Sequence, residues 1–256
     1  MNLYEAIFLR RSVRKYDQKP VSPEILDKIR IFYTAIEPLF PGIETEIGIT
    51  ENLGGKRILT GLFGVNAPYY LSFYSEPRDR SEMNMGYLAE QISLYLMTLG
   101  LGSCFLGGKS LRGVPKTRGN KQLVIILAFG YPADRLTRRA SDAKRLPTKE
   151  LCLFKDPPTK WMTQVIEAAR LAPSAMNRQP WRFVVSGSRI HIFCKKYSND
   201  RPRFLDDFNF GVMFSHIMIA SEELWLDVDL IRLEDISQKN FRSNQYVLSA
   251  VVRTQE

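Results

Sequence analysis

Histidine is almost absent from this chain and cysteine is scarce: two of the first and three of the second among 256 residues. The thiols, Cys104, Cys152 and Cys194, are odd in number and lack the close spacing of metal ligands. Neither a disulfide framework nor a metal site is therefore expected. The cysteines are read as reduced and structural, and His216, set in an apolar helical pattern, as a core or boundary residue. Long apolar runs are also missing. None approaches the ~20 residues that span a bilayer, so no membrane association is expected. The N-terminal stretch MNLYEAIFLRRSVRK puts its basic cluster after a short apolar run, the reverse of a secretory leader, which points to the cytoplasm. A dinucleotide fingerprint is lacking too. GLGSCFLG departs from the G-x-G-x-x-G spacing and follows a helical pattern instead of a strand.

What the chain has in excess is positive charge: 36 Lys and Arg against 27 Asp and Glu, for a net charge of +9. The cations cluster at 10–15, 135–145 and 195–203. None of these clusters is interleaved with aromatics in an RNA-binding pattern. Phosphate-bearing small molecules fit this distribution better than nucleic acid. A hydrophobic fraction of 45% is ordinary for a globular protein. At this length folding buries roughly 70–75% of the extended surface, enough for one large domain or two small ones.

Hydrophobic periodicity predicts helices near 3–10, 23–37, 83–99, 161–171 and 208–225. Strands are expected at 45–50, 69–75, 122–130, 182–186, 189–194, 228–233 and 245–253. Helices and strands interleave without a steady βαβ rhythm, so the expected fold class is α+β. A shift of 125 lays NMGYLAEQISLYLMTLGLG (84–102) on NFGVMFSHIMIASEELWLD (209–227) without a gap. Asn84 meets Asn209, Gly86 meets Gly211, and Leu99 and Leu101 meet Leu224 and Leu226. A shorter helix precedes each stretch and a strand follows it. The reading is two diverged copies, 1–148 and 149–256; the alternative is two unrelated segments of similar amphipathicity.

Three constellations could carry chemistry. In LRRSVRKY, Arg10, Arg11, Ser12, Arg14 and Lys15 offer planar guanidinium forks and a hydroxyl that match phosphate oxygens. An extended segment would put Arg10, Ser12 and Arg14 on one face. The alternative is a solvated basic surface. In APSAMNRQPW, a proline ends a helix, and Ser174, Asn177 and Gln179 line a turn before Pro180 forces extension. The alternative there is ordinary turn chemistry. In TLGLGSCFLGG, glycines 100, 102, 107 and 108 permit close backbone approach. A basic tail ending in Lys144 and Arg145 follows AFGYP.

Together, RRSVRKY…PVSPEIL, ARLAPSAMNRQPWRFVV, LGLGSCFLGG and AFGYP…AKRLP resemble the motif blocks of the FMN-dependent nitroreductase family. Members are interlocked homodimers with flavins at the dimer interface. Here the first copy lacks the Ser-Asn turn, the second lacks the Arg-Ser block, and the second copy's LWLDVDLIRLE has lost the glycines. The resemblance therefore implies a nitroreductase-like α+β fold arranged as an intramolecular pseudo-dimer, with one complete flavin site per chain and a monomeric state. It implies that Arg10, Ser12 and the Lys144–Arg145 pair hold the FMN phosphate, with Arg138 and Arg139 as an alternative to that pair. Arg14 would approach the N1/O2 edge, and Arg11 is counted among the cofactor-binding residues. Ser174, Asn177 and Gln179 would reach the cofactor from the second copy, and the backbone of Leu106, Gly107 and Gly108 would face the N5/O4 edge. The implied activity is ping-pong electron transfer from NAD(P)H to a small acceptor such as a nitroaromatic or quinone, with the flavin and no protein acid–base dyad carrying the chemistry. A flavin-binding protein without turnover and a basic interaction module are the alternatives.

Overall fold

A computed structural model describes residues 1–55, 64–107, 110–196, 203–239 and 241–253. The chain divides into two units, Met1–Ala143 and Lys144–Glu256. In the first unit, Asn2 and Glu5 form a capping box that starts helix α1 (Leu3–Leu9). Ser22, followed by Pro23, starts α2 (Pro23–Ala35). Both ends follow the rule that a short polar side chain takes an amide the first turn leaves unpaired. Strands β1 (Thr45–Glu51) and β2 (Tyr69–Ser75) pair antiparallel and lead into α3 (Ser81–Thr98). Helix α3 is buried on nearly every side, as its lack of a polar stripe requires. Three strands complete the sheet: β3 (Gly102–Leu106), β4 (Thr117–Arg118) and β5 (Lys121–Gly130). Its order is β1-β2-β5-β3, with β4 on the end of β5.

The second unit opens with α4 (Thr148–Leu151) and β6 (Cys152–Phe154). Helix α5 (Lys160–Leu171) precedes the hairpin of β7 (Trp181–Ser186) and β8 (Arg189–Lys195). Then come α6 (Arg203–Glu223), β9 (Val228–Ile231), α7 (Glu234–Ser237) and β10 (Asn244–Val252). The sheet order is β6-β7-β8-β10-β9, with β6 parallel to β7 and the other pairs antiparallel. With β4 and β6 set aside, both units run hairpin, long helix, edge strand, inner strand, in the same spatial permutation.

The likeness extends to single hydrogen bonds. Helix α3 ends in a Schellman motif: Leu101 N–H bonds the carbonyl of Leu96 at 2.9 Å, and Gly100 N–H that of Met97 at 3.0 Å. Helix α6 ends the same way 125 residues later, Leu226 bonding Ser221 at 2.9 Å and Trp225 bonding Glu222 at 3.1 Å. The left-handed residue is Gly100 in one (φ 79°) and Trp225 in the other (φ 56°). Asn84 and Asn209 are both buried. The first accepts from Phe40 N–H at 2.9 Å and the second from Ala175 N–H at 2.8 Å. Each leaves its Nδ2 without a hydrogen-bond partner among the described residues.

One expectation changes. Residues 102–106, read as part of a glycine loop, form strand β3. His216 is buried in α6 and its Nδ1 donates to the carbonyl of Ala168 at 2.8 Å, a core role. Among the described residues no helix is long and apolar enough to cross a membrane, and no cluster of His, Cys, Asp and Glu could hold a metal.

Candidate functional site

Segment 10–16 leaves α1 and is held from two sides within the first unit. Val13 N–H donates to the carbonyl of Ser103 at 2.9 Å, and Ser12 bridges Ser103 in parallel register. On the other side Arg10 bridges Thr137 and Tyr16 bridges Pro132. The approach to β3 is tight: a Cβ on Gly102 would stand 2.5 Å from Cγ2 of Val13. Glycine is thus needed at 102 for contact, and the strand itself is regular.

The side chains do not alternate as a free strand would. Arg10, Val13 and Tyr16 are buried, a three-residue spacing, in a segment bridged on both flanks. Arg10 does not share an open face with Ser12 and Arg14. It is 4% exposed, with Nε 3.4 Å from Oε1 of the fully buried Glu90, and its carbonyl accepts from Arg138 Nε at 2.6 Å. Arg11 turns to Asp134 (3.4 Å) and the carbonyl of Arg135 (3.1 Å). Arg14 and Lys15 are exposed and make no ion pair among the described residues. Ser12 is half-buried. It lies beside Cys104, whose thiol is pushed up by burial, with Arg14, Arg10 and Ser12 opposing that shift. The Tyr16 hydroxyl, held by the carbonyls of Val13 (2.6 Å) and Ala128 (3.2 Å), is raised well above the usual phenol value, chiefly by burial. At the far end of β3, Leu106 is buried and Gly107 exposed; Gly108 lies outside the described residues, as does most of the basic stretch 195–203. Arg139 pairs with Asp142 at 3.1 Å, which holds that exposed carboxyl below its ordinary value.

In the second unit the turn after α5 is laced to the segment that begins the unit. Asn177 Oδ1 accepts from Arg145 Nη1 at 2.7 Å, and its Nδ2 donates to the carbonyl of Lys144 at 2.8 Å. Gln179 Oε1 accepts from Leu146 N–H at 2.8 Å, and its Nε2 donates to the carbonyl of Asn177 at 3.1 Å. Arg145 also donates from Nε and Nη2 to the carbonyl of Leu171, at 3.3 and 3.2 Å. Ser174 Oγ accepts from Gln179 N–H at 3.0 Å. Asn177, Gln179 and Arg145, expected to face a cofactor, thus spend their side-chain groups on one another and on nearby backbone. Of the basic pair, only the Lys144 side chain stays exposed. The turn is also strained: Met176, Asn177 and Gln179 all have positive φ, at 53°, 56° and 48°. Three left-handed non-glycine residues within four positions cost of order 1–3 kcal/mol each and persist only where surroundings enforce them, a pattern concentrated at ligand-binding sites.

Sequence reasoning missed Glu90 and Ser103. Glu90 had a signal, since it is the single charge within the apolar run YLAEQISLYL. Ser103, which hydrogen-bonds Ser93 at 3.0 Å, had none.

With this geometry in hand, comparison with known proteins is direct. The TM nitroreductase family matches residues 2–221. A crystal structure of a Thermotoga maritima protein named as a nitroreductase is similar to this chain, with 22% identity and a TM-score of 0.66 over 98% of this chain and 94% of that one. An FMN-dependent nitroreductase from Clostridium difficile has 21% identity and a TM-score of 0.45, covering 59% of this chain and 98% of its own. A protein from Parabacteroides distasonis named as an NADH dehydrogenase/NAD(P)H nitroreductase has 16% identity and a TM-score of 0.43 over 59% and 97%. No curated protein matches the sequence. A mixed α+β fold shared with the Thermotoga structure and a family match over most of the length agree: the chain belongs to the TM nitroreductase family.

Proposed function

We propose that the chain is an FMN-dependent oxidoreductase that takes electrons from NAD(P)H and passes them to a small organic acceptor such as a nitroaromatic or a quinone. The observation that carries this reading is the segment Ser12–Lys15, pinned along β3 by the Val13–Ser103 hydrogen bond in a chain of this family. Its donor set fits the cofactor. A hydroxyl and two exposed cations suit a phosphate and an electron-rich ring edge, and neither cation is consumed by a carboxylate among the described residues.

FMN, when bound, would accept hydride from the nicotinamide and deliver electrons to the second substrate in a separate half-reaction. Ser12 and Lys15 would bind the phosphate by charge-assisted hydrogen bonds. Arg14 would lower the energy of negative charge on the ring, the electrostatic part of the task. Arg10 acts at one remove. Its ion pair with Glu90, and the bond its carbonyl takes from Arg138, hold the segment that carries Ser12 and Arg14. The strained turn at 176–179 is the second unit's candidate for cofactor contact.

The paired strand order, the matching Schellman motifs and the matching asparagines support a further part of the proposal: the two units descend from one duplicated ancestor and together take one FMN per chain. Purified protein should therefore be yellow, bind one equivalent of FMN and bleach on addition of NADH or NADPH without oxygen. A colourless protein that FMN does not reconstitute would refute the reading, and two equivalents per chain would refute the duplication argument.

A further inference from the structure

The second unit holds a cavity of about 310 Å³ that the flavin reading does not use. Three cations from three elements converge on it: Lys196 after β8, Arg232 after β9 and Lys239 after α7. Ser237 and Asn244 line it as well, with Gln245 beside them, and none of the described residues lining it is acidic. Neither Arg232 nor Lys239 has an ion-pair partner among the described residues. The like charges of Arg232 and Lys239 at one concavity repel unless an anion joins them, so the arrangement favours an anionic occupant.

The wall is fixed before any ligand arrives. The ring of Phe193 meets Phe241 edge-on at 4.9 Å and Tyr246 at 5.7 Å. The Tyr246 hydroxyl lies 2.7 Å from Ser249 Oγ and accepts from Leu233 N–H at 3.1 Å. Lys196 donates from Nζ to the carbonyl of Phe241 at 2.7 Å, and its N–H donates to Ser243 at 2.9 Å. The loop from 241 to 244 is thereby tied to the end of β8. Behind the wall, Ser249 contacts Nδ1 of His191 at 2.8 Å. That ring is held below its usual pKa, first by burial and then by Arg189 and Lys239, with Asp235 opposing.

We propose that this cavity binds the phosphate of a small phosphomonoester, with Arg232, Lys239 and Lys196 supplying charge and Asn244 supplying a neutral donor; the Ser237 hydroxyl is already given to the carbonyl of Glu234 at 3.0 Å. Volume separates this class from polymers: about 310 Å³ is the size of a small-molecule site. An aromatic wall beside the cations also suits a phosphate carried on a ring. The proposal is independent of the flavin reading, since no residue from 10 to 15 takes part.

The test is calorimetric titration of the full chain, as purified, with inorganic phosphate and with AMP at low ionic strength. At least one should bind with unit stoichiometry. Arg232→Gln and Lys239→Gln should each weaken that binding roughly tenfold or more, as expected for loss of a charge-assisted hydrogen bond. Both side chains are exposed, so thermal unfolding of the variants should stay unchanged. Arg14→Ala should leave the binding intact. Failure of both probes to bind overturns the proposal, and so does binding that survives both glutamine variants. Binding lost in Arg14→Ala but kept in Arg232→Gln would assign the anion to the first unit and equally overturn it.

Discussion

Replacing Arg10 with alanine takes a guanidinium away from a fully buried carboxylate. Glu90 is fully buried in the middle of α3, and Arg10 is 4% exposed, with 3.4 Å between Nε and Oε1. Removing one partner of such a pair costs about 3–5 kcal/mol, because the remaining carboxylate loses its guanidinium in a poorly solvating interior. The comparison that decides the magnitude lies on α2. Arg30 and Asp27 approach more closely, at 2.7 Å, yet both are more than half exposed. Solvent screening holds such a pair to about 0–1 kcal/mol. Burial, not distance, ranks the two. Near 2–4 °C per kcal/mol for a chain of this size, Arg10→Ala should lower the unfolding midpoint by roughly 6–20 °C, and Asp27→Ala by less than about 4 °C. Circular dichroism melting of the three proteins tests this. Adding Glu90→Gln to Arg10→Ala removes the stranded charge and should restore part of the loss, a non-additivity that direct partners show. The argument fails if Arg10→Ala melts within about a degree of the parent, or if the double variant is no more stable than the single one.

Gly102→Ala would place a methyl 2.5 Å from Val13 Cγ2 on a fully buried residue, an overpacking cost of about 1–3 kcal/mol. It should also displace Ser12 and Arg14, weakening FMN affinity in fluorescence titrations; unchanged stability and affinity would remove the close approach from the argument. Trp225→Gly should raise the melting temperature, because Trp225 holds φ 56° while 95% exposed, and relief of left-handed strain is of order 1 kcal/mol. Gly100→Ala, at the matching place in the first unit, should do the opposite, and a Trp225→Gly variant less stable than the parent would show that the ring makes contacts worth more than the strain. Burial pushes the Cys152 and Cys194 thiols up to about 12, and Cys104 upward too. At pH 8 roughly one in ten thousand of the first two would then be thiolate, against about a quarter of free cysteine. Alkylation by iodoacetamide should be slow in the native protein and fast after unfolding; comparable rates would refute the shift.

Much of the fold was legible because its elements obey periodicity. Ser22-Pro23 announces α2, and the alternation around Ser186-Gly187-Ser188 announces the β7–β8 hairpin. Strand β3 was not legible, because the glycine at 102 serves the passage of Val13 across the strand, and close approach looks the same in sequence as a loop. The candidate site was legible as a set of segments but not as a set of contacts. Arg10 reads as a surface cation until Glu90, 80 positions away, is seen beneath it. Asn177 and Gln179 read as ligands because their partners, Lys144, Arg145 and Leu146, lie more than 30 residues upstream. Polar turn chemistry declares a capacity to bond, and the partner is decided by the return path of the chain.

The lacing of residues 144–146 to the turn after α5 bears on how the second unit could live alone. Those three residues come from the tail that sequence patterning assigns to the first copy, yet they close the turn. A fragment begun at 149 would retain β6 but shed every bond from Lys144, Arg145 and Leu146, leaving the three left-handed residues held only by bonds inside the turn such as Gln179 N–H to Ser174 Oγ. A fragment begun at 144 would carry its own clasp. The segment that joins the halves is therefore a structural member of the second, and a cut placed by composition would sever the piece that holds the turn in shape.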